Sequence, residues 1–116
     1  MEYEKTENID GTFGQGTIEV SFKEIFDKLG PCHWDGEGYK TDAEWAIKSG
    51  DTIATLYNWK NGKNYLGDQG LEVQDITEWN IGGNSKKAVD LIYKILNKDP
   101  QPAMGDALAW AYKDPQ

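Results

Sequence analysis

Hydrophobic and polar positions change period several times along this chain, and each change marks an element. In residues 17–20, Ile18 and Val20 alternate with polar neighbours, the period of a short strand. From residue 22 the spacing lengthens: Phe22, Ile25, Phe26 and Leu29 fall at i, i+3, i+4 and i+7, which places one apolar stripe on a helix. Ser21, with Glu24 three residues later, forms a capping box at its start. Gly30 suits the left-handed position after the last turn, and Pro31 cannot continue the helix. Residues 31–41 then read as a turn-rich connection. Residues 42–48 and 52–59 read as two strands of a hairpin around Ser49-Gly50-Asp51. A loop of all three residues sets Ile47 opposite Ile53 and Trp45 opposite Thr55, whereas a two-residue loop sets Trp45 opposite Leu56; the pattern leaves both registers open. Residues 76–81 form a further strand that Gly82-Gly83-Asn84 ends. Ser85 or Asn84 then caps a second helix over 86–97, with Ala88, Leu91, Ile92, Ile95 and Leu96 on its apolar face.

The order strand, helix, strand, strand, strand, helix predicts an α+β fold. The expected form is a two-layer sandwich, with an antiparallel sheet of three to four strands and two helices on one face. A length of 116 residues allows one modest core and hence one domain, expected over 13–98. Residues 1–12 lack periodicity and read as a loose arm, with Tyr3 and Ile9 as possible anchors. Residues 99–116 read as a tail punctuated by Pro100, Pro102 and Pro115, with a short helical turn between them.

Charge narrows the classes of partner. The formal net charge is -8, which favours solubility and opposes phosphate backbones. The twelve basic residues are all Lys, so the planar fork that reads phosphates and guanines is missing, and no specific nucleic-acid partner is expected. The single Cys32 has no internal disulfide partner, in keeping with a reducing compartment. The first ten residues are polar and acidic, unlike a signal peptide. No apolar run approaches the roughly 18 residues of a membrane span, so no membrane partner is expected.

Candidate chemistry is sparse. Cys32, His33, Asp35 and Glu37 are the densest reactive cluster, but a zinc site needs more Cys or His than this chain has. Asp42 and Glu44 share a strand face by period two, without a visible cleft to serve. The stretch 11–16, GTFGQG, precedes a strand instead of joining strand to helix, so it reads as a flexible turn and not as a dinucleotide fingerprint. Gly82, Gly83, Asn84, Ser85, Lys86 and Lys87 follow a strand and open a helix, where free N–H groups attract anions; they form a candidate anion site. Two lysines in the first turn oppose the helix dipole, and a bound anion would relieve that conflict. In 52–67, TIATLYNWKNGKNYLG, the dipeptide Asn61-Gly62 reads as a turn. Around it Tyr57, Trp59, Lys60, Asn61, Lys63 and Tyr65 combine apolar faces, amides and ammonium groups, the mixture of a binding loop. Trp59 and Tyr65 are expected on one rim, with Lys60 and Lys63 towards solvent. Neither a catalytic constellation nor a cofactor or metal motif is present, so a non-enzymatic role is expected.

Four segments in order, GTFGQGTIEVSFKEIFDKLG, DGEGYKTDAEWAI, TIATLYNWKNGKNYLG and ITEWNIGGNSKKAVDLI, resemble a family of small proteins encoded by tailed bacteriophages. The resemblance covers about residues 11–96. Relatives often carry His where this chain has Asn80, so no role that needs an imidazole there transfers. The resemblance implies an accessory protein acting in the cytoplasm of the infected cell, a class that includes inhibitors of host enzymes and immunity; it supplies no catalytic residues. The resulting expectation is a stoichiometric inhibitor of a host bacterial protein, with anti-phage defence factors among the targets. Eleven of the twenty acidic residues but only five of the twelve Lys fall in residues 1–50, which points to an acidic contact surface in that half. The competing expectation is a protein that sequesters a nucleotide signal, using the 58–65 loop and the Gly82–Lys87 helix start.

Overall fold

Ser21 starts the first helix as its sequence predicts. In the computed structural model, which describes residues 2–33 and 41–98, its hydroxyl accepts the Glu24 N–H at 3.1 Å while the Glu24 carboxylate accepts the Ser21 N–H at 3.2 Å. This helix, α1, spans Phe22–Leu29 and ends at Gly30, whose φ of 79° is left-handed and whose N–H returns to Phe26. The expected tail over 99–116, and Asp35 and Glu37 of the reactive cluster, lie outside the described residues.

The fold is α+β, a five-stranded antiparallel sheet with three helices packed against it. The strands are β1 (Glu4–Lys5), β2 (Phe13–Glu19), β3 (Glu44–Ser49), β4 (Thr52–Tyr57) and β5 (Glu78–Gly83), in the order β1-β3-β4-β5-β2. The other helices are the single-turn α2 (Lys63–Leu66) and α3 (Lys87–Ile95). Five strands exceed the three to four expected, because residues 4–5 pair with Lys48 and Ile47 instead of hanging loose. Residues 13–16 depart from expectation too: the glycine-rich stretch belongs to β2, with a bulge between Gly14 and Gly16. Glycine there serves packing, since a Cβ on Gly16 would press on Val89 of α3 at 3.1 Å. The β3–β4 hairpin takes the two-residue loop, with Ser49 opposite Thr52 and Trp45 opposite Leu56. Gly50 supplies positive φ (59°) at the first central position, the pattern of a type II′ turn.

That register settles the two faces. Trp45, Ile47, Ala54, Leu56, Trp79, Ile81 and Ile18 point to one side, where they form the core with Ile25, Ala88, Leu91 and Ile92 of α1 and α3. Trp45 and Trp79 meet edge to face at 5.6 Å, and Phe22 closes on both at 5.8 and 6.4 Å. Each buried indole N–H finds a carbonyl, Trp45 that of Gly30 and Trp79 that of Ile76. The C-terminus of α3 is a Schellman turn built on Asn97 (φ 59°), with Asn97 N–H to Lys94 and Lys98 N–H to Tyr93. Lys98 then reaches Glu24 of α1 at 2.8 Å, and together with the Ser21 N–H it holds that carboxyl below its usual range.

Thr55, Tyr57, Glu44 and Gly82 occupy the face away from these helices. β1 and β2 lie on opposite edges of the sheet, so the intervening residues 6–12 must cross it, and Ile9 and Thr12 do so over Thr55 and Gly82. Among the described residues no helix is long and apolar enough to cross a membrane.

Glycine at β5 is dictated by closeness. A Cβ on Gly83 would overlap that of Ala88 on α3 and crowd the Ile53 carbonyl at 2.8 Å. Gly83→Ala is therefore expected to destabilise the fold by about 1–3 kcal/mol through overpacking, read as a lower denaturation midpoint with an unchanged slope.

Candidate functional site

Asn58 follows β4 and is fully buried. Its carbonyl oxygen accepts the N–H groups of Asp42 (2.6 Å) and Ala43 (3.1 Å), and its amide donates to Asp42 Oδ1 (2.8 Å) and Asn61 Oδ1 (3.0 Å). The full capacity of a carboxamide is thereby used. Asp42 Oδ2 accepts the Asn64 N–H at 3.1 Å, the Asn64 amide donates to the Thr41 carbonyl at 2.9 Å, and the Asn61 amide reaches the Glu78 carbonyl at 3.4 Å. All three Asn of the aromatic loop thus tie it to the strand ends.

The chain bends at Lys60 and Asn61, and the left-handed residue of the bend is Lys60, with φ of 62°. Gly62 is needed for another reason: a Cβ there would collide with the Asp42 carboxylate. α2 begins after Gly62, and Leu71 returns to bond the Asn61 carbonyl at 3.0 Å. The loop presents Trp59 and Tyr65 at 43% and 37% exposure, and Leu66 and Leu71 are exposed at 42% and 47%. Lys60 is exposed, and its ammonium sits 5.9 Å from the Trp59 ring and 5.4 Å from the Tyr65 ring. Lys63 is exposed and pairs with Glu72 at 3.5 Å.

Tyr57 faces the opposite way from the core, its ring edge-on to Trp59 at 6.2 Å. Both line a cleft of about 390 Å³ on the open face of the sheet, together with Phe13, Ile9, Thr12, Thr41, Glu44, Thr55 and Gly82. Gly82 belongs to its floor because a Cβ there would overlap the Thr55 hydroxyl. Glu44 stands opposite Tyr57 across the β3–β4 ladder. Burial, and secondly the Glu44 charge, raise the Tyr57 phenol above its usual pKa. The sequence pattern singled out Tyr57 and Trp59; Glu44 becomes a neighbour of Tyr57 only in the two-residue hairpin register.

The candidate anion residues are placed differently. Gly82 and Gly83 are buried in β5. Asn84 caps no helix: its side chain accepts the Ile53 N–H at 3.0 Å and donates to the Asp51 carbonyl at 2.8 Å, stapling the β3–β4 turn to β5. The Ser85 hydroxyl accepts the Lys87 N–H at 3.3 Å, while the residue at the cap position is Lys86, without a side-chain bond; both lysines are exposed. This end of β4 and the aromatic loop at the other end lie roughly 16 Å apart at strand rise, so the structure separates Asn84, Ser85, Lys86 and Lys87 from the loop, while Gly82 alone of the segment joins Tyr57 and Trp59 in the cleft.

His33 extends the pairing of β3. Its N–H bonds the Glu44 carbonyl at 2.8 Å, and its Nδ1 accepts the Ala46 N–H at 2.9 Å. Among the described residues no group of three or more His, Cys, Asp or Glu is placed to hold a metal ion. No protein-family model, curated protein or solved structure matches the chain.

Replacing Asn58 with Leu removes every bond at the centre of the network and strands two backbone donors, so a loss of at least about 2 kcal/mol is expected. Amide exchange should show protection falling first over 58–71. Burial, and then the nearby Lys5 charge, lower the His33 pKa below its usual value, and an imidazolium has no lone pair at Nδ1 to accept the Ala46 N–H. The unfolded chain therefore takes up the proton first. The His33 contribution is complete above about pH 6.5 and is lost as pH falls below it. His33→Asn should reduce the drop in melting temperature between pH 7 and 5.5; an unchanged drop would exclude His33 as its source.

Proposed function

We propose that this chain is a bacteriophage accessory protein that binds a host bacterial protein in the host cytoplasm and inhibits it stoichiometrically, without catalysis, with an anti-phage defence factor as the target class. The four-segment resemblance supports the phage setting. One observation supports the mode of action: Trp59 and Tyr65 stand exposed on a loop whose backbone is held by Asn58, Asn61, Asn64 and Asp42. Exposed aromatics dominate the energetics of protein interfaces. A loop already fixed in shape loses little conformational entropy on binding. The surplus of acids suits a target whose working surface is positive, such as a nucleic-acid-binding groove.

A nucleotide-sequestering role receives less support. Lys86 and Lys87, which would hold a phosphate, follow Asn84 at the end of β4 away from the aromatic loop, and the charged residue described in the cleft is the carboxylate Glu44, which repels phosphate.

The test is capture of a host protein from infected cells on the tagged chain, paired with an assay of the defence activity. Trp59→Ala combined with Tyr65→Ala should weaken capture at least about thirtyfold, the equivalent of one strong aromatic anchor, and should restore the defence activity at an almost unchanged melting temperature. Unchanged binding with a large loss of stability would make the loop structural and remove the proposal's basis.

A further inference from the structure

We propose that Lys60 sets the specificity of the aromatic loop, its ammonium receiving a carboxylate of the bound partner beside the Trp59 and Tyr65 rings. This inference rests on the protein-binding reading and names one group that the partner must present. Lys60 takes a φ of 62°, a left-handed conformation that few residues other than glycine and asparagine adopt. Its side chain is exposed, so glycine would serve the backbone there at less cost. The fold holds this conformation from both sides: Asn58 before it is buried in its network, and the Asn61 carboxamide after it is bound to Asn58 and to the Glu78 carbonyl. An uncommon backbone conformation over-determined by its surroundings marks a residue kept for its side chain.

That side chain carries a charge with hydrogen-bonding capacity to spare. The ammonium lies 5.9 Å from the Trp59 ring and 5.4 Å from the Tyr65 ring, and these contacts belong to the site as they stand. Among the described residues the lysines in ion pairs are Lys23, Lys63 and Lys98, and Lys60 is not one of them. A lone surface ion pair contributes little. Two rings beside the cation keep water from the pair once a partner covers them, and Coulomb attraction grows as water leaves. Charge favours a carboxylate over a phosphate: a chain of net charge -8 repels a dianion more than a monoanion, and one ammonium offers a single point of charge without a guanidinium fork. On a target whose surface is otherwise positive, one acidic group opposite Lys60 fixes the docking register, and a cation in its place is rejected.

The test needs no host protein. Two tripeptides, acetyl-Leu-Glu-Leu-amide and acetyl-Leu-Gln-Leu-amide, are titrated into the full chain while the Trp59 indole and Lys60 resonances are followed by NMR. Both should saturate in the millimolar range, with the glutamate peptide about fivefold tighter, the upper end for an ion pair near solvent. Lys60→Met should bring that ratio to one with the melting temperature unchanged, whereas Lys23→Met, on α1, should leave the ratio as it is. Lys60→Gly should melt no lower than the native chain, because glycine takes the left-handed backbone freely. A ratio of one in the native chain, a ratio kept in Lys60→Met or lost equally in Lys23→Met, absence of a saturable shift, or tighter binding of 5′-AMP than of the glutamate peptide would overturn the proposal. A clear fall in melting temperature in both Lys60→Met and Lys60→Gly would do the same, by making the ring contacts structural. A chain that captures a host protein through Trp59 and Tyr65 but binds both peptides equally loses this inference alone.

Discussion

A single buried carboxamide sets the shape of everything at the functional end of this molecule. Asn58 sits where β4 leaves the sheet, and its four bonds hold the start of β3, the Asp42 side chain and the far side of the aromatic loop to one point. A buried amide is tolerable only when fully satisfied, because each unmet group costs more than a typical bond returns. That demand fixes the neighbours: Asp42 must be oriented, Gly62 must lack a side chain, and Asn61 and Asn64 must face inwards. The polar residues of the loop are thereby spent on its own geometry. What remains outside is Trp59, Lys60 and Tyr65, exposed because the interior is already occupied.

Much of the fold is legible in the sequence where local chemistry and tertiary structure agree. The Ser21–Glu24 box, the Gly30 stop and the apolar stripe of α1 are all satisfied within a few residues of chain, so nothing distant can override them. The α3 stripe was equally plain, although Asn84 was drawn away from its start by the exposed amides of the β3–β4 turn. What was hidden depends on partners far along the chain. β1 contains only charged residues, and its strand character comes wholly from the free edge of β3. The glycines of residues 11–16 looked like flexibility because their reason lies in Val89 and β5.

The binding residues divide in the same way. Tyr57, Trp59 and Tyr65 were visible as aromatics around a polar turn, which composition alone reveals. Their division into a cleft wall and an exposed apex was not, since it depends on strand parity and on the left-handed backbone at Lys60. Glycine, amide and lysine in this loop permit several turns; the buried network selects one.

The crossing of residues 6–12 has a consequence for the order of assembly. Both outer strands of the sheet come from the N-terminus, yet their partners are made much later: Lys5 waits for Ile47, and Thr17 for Asn80. During synthesis the first strand has nothing to pair with until about half of the domain has been made, and the second until nearly all of it has. Contact order is correspondingly high for the outer strands and low for the central β3–β4 hairpin, so the hairpin is the natural nucleus and the strap across the open face closes last. The cleft takes shape only in that final step, when Ile9 and Thr12 come to lie over Thr55 and Gly82, and so its formation reports completion of the fold.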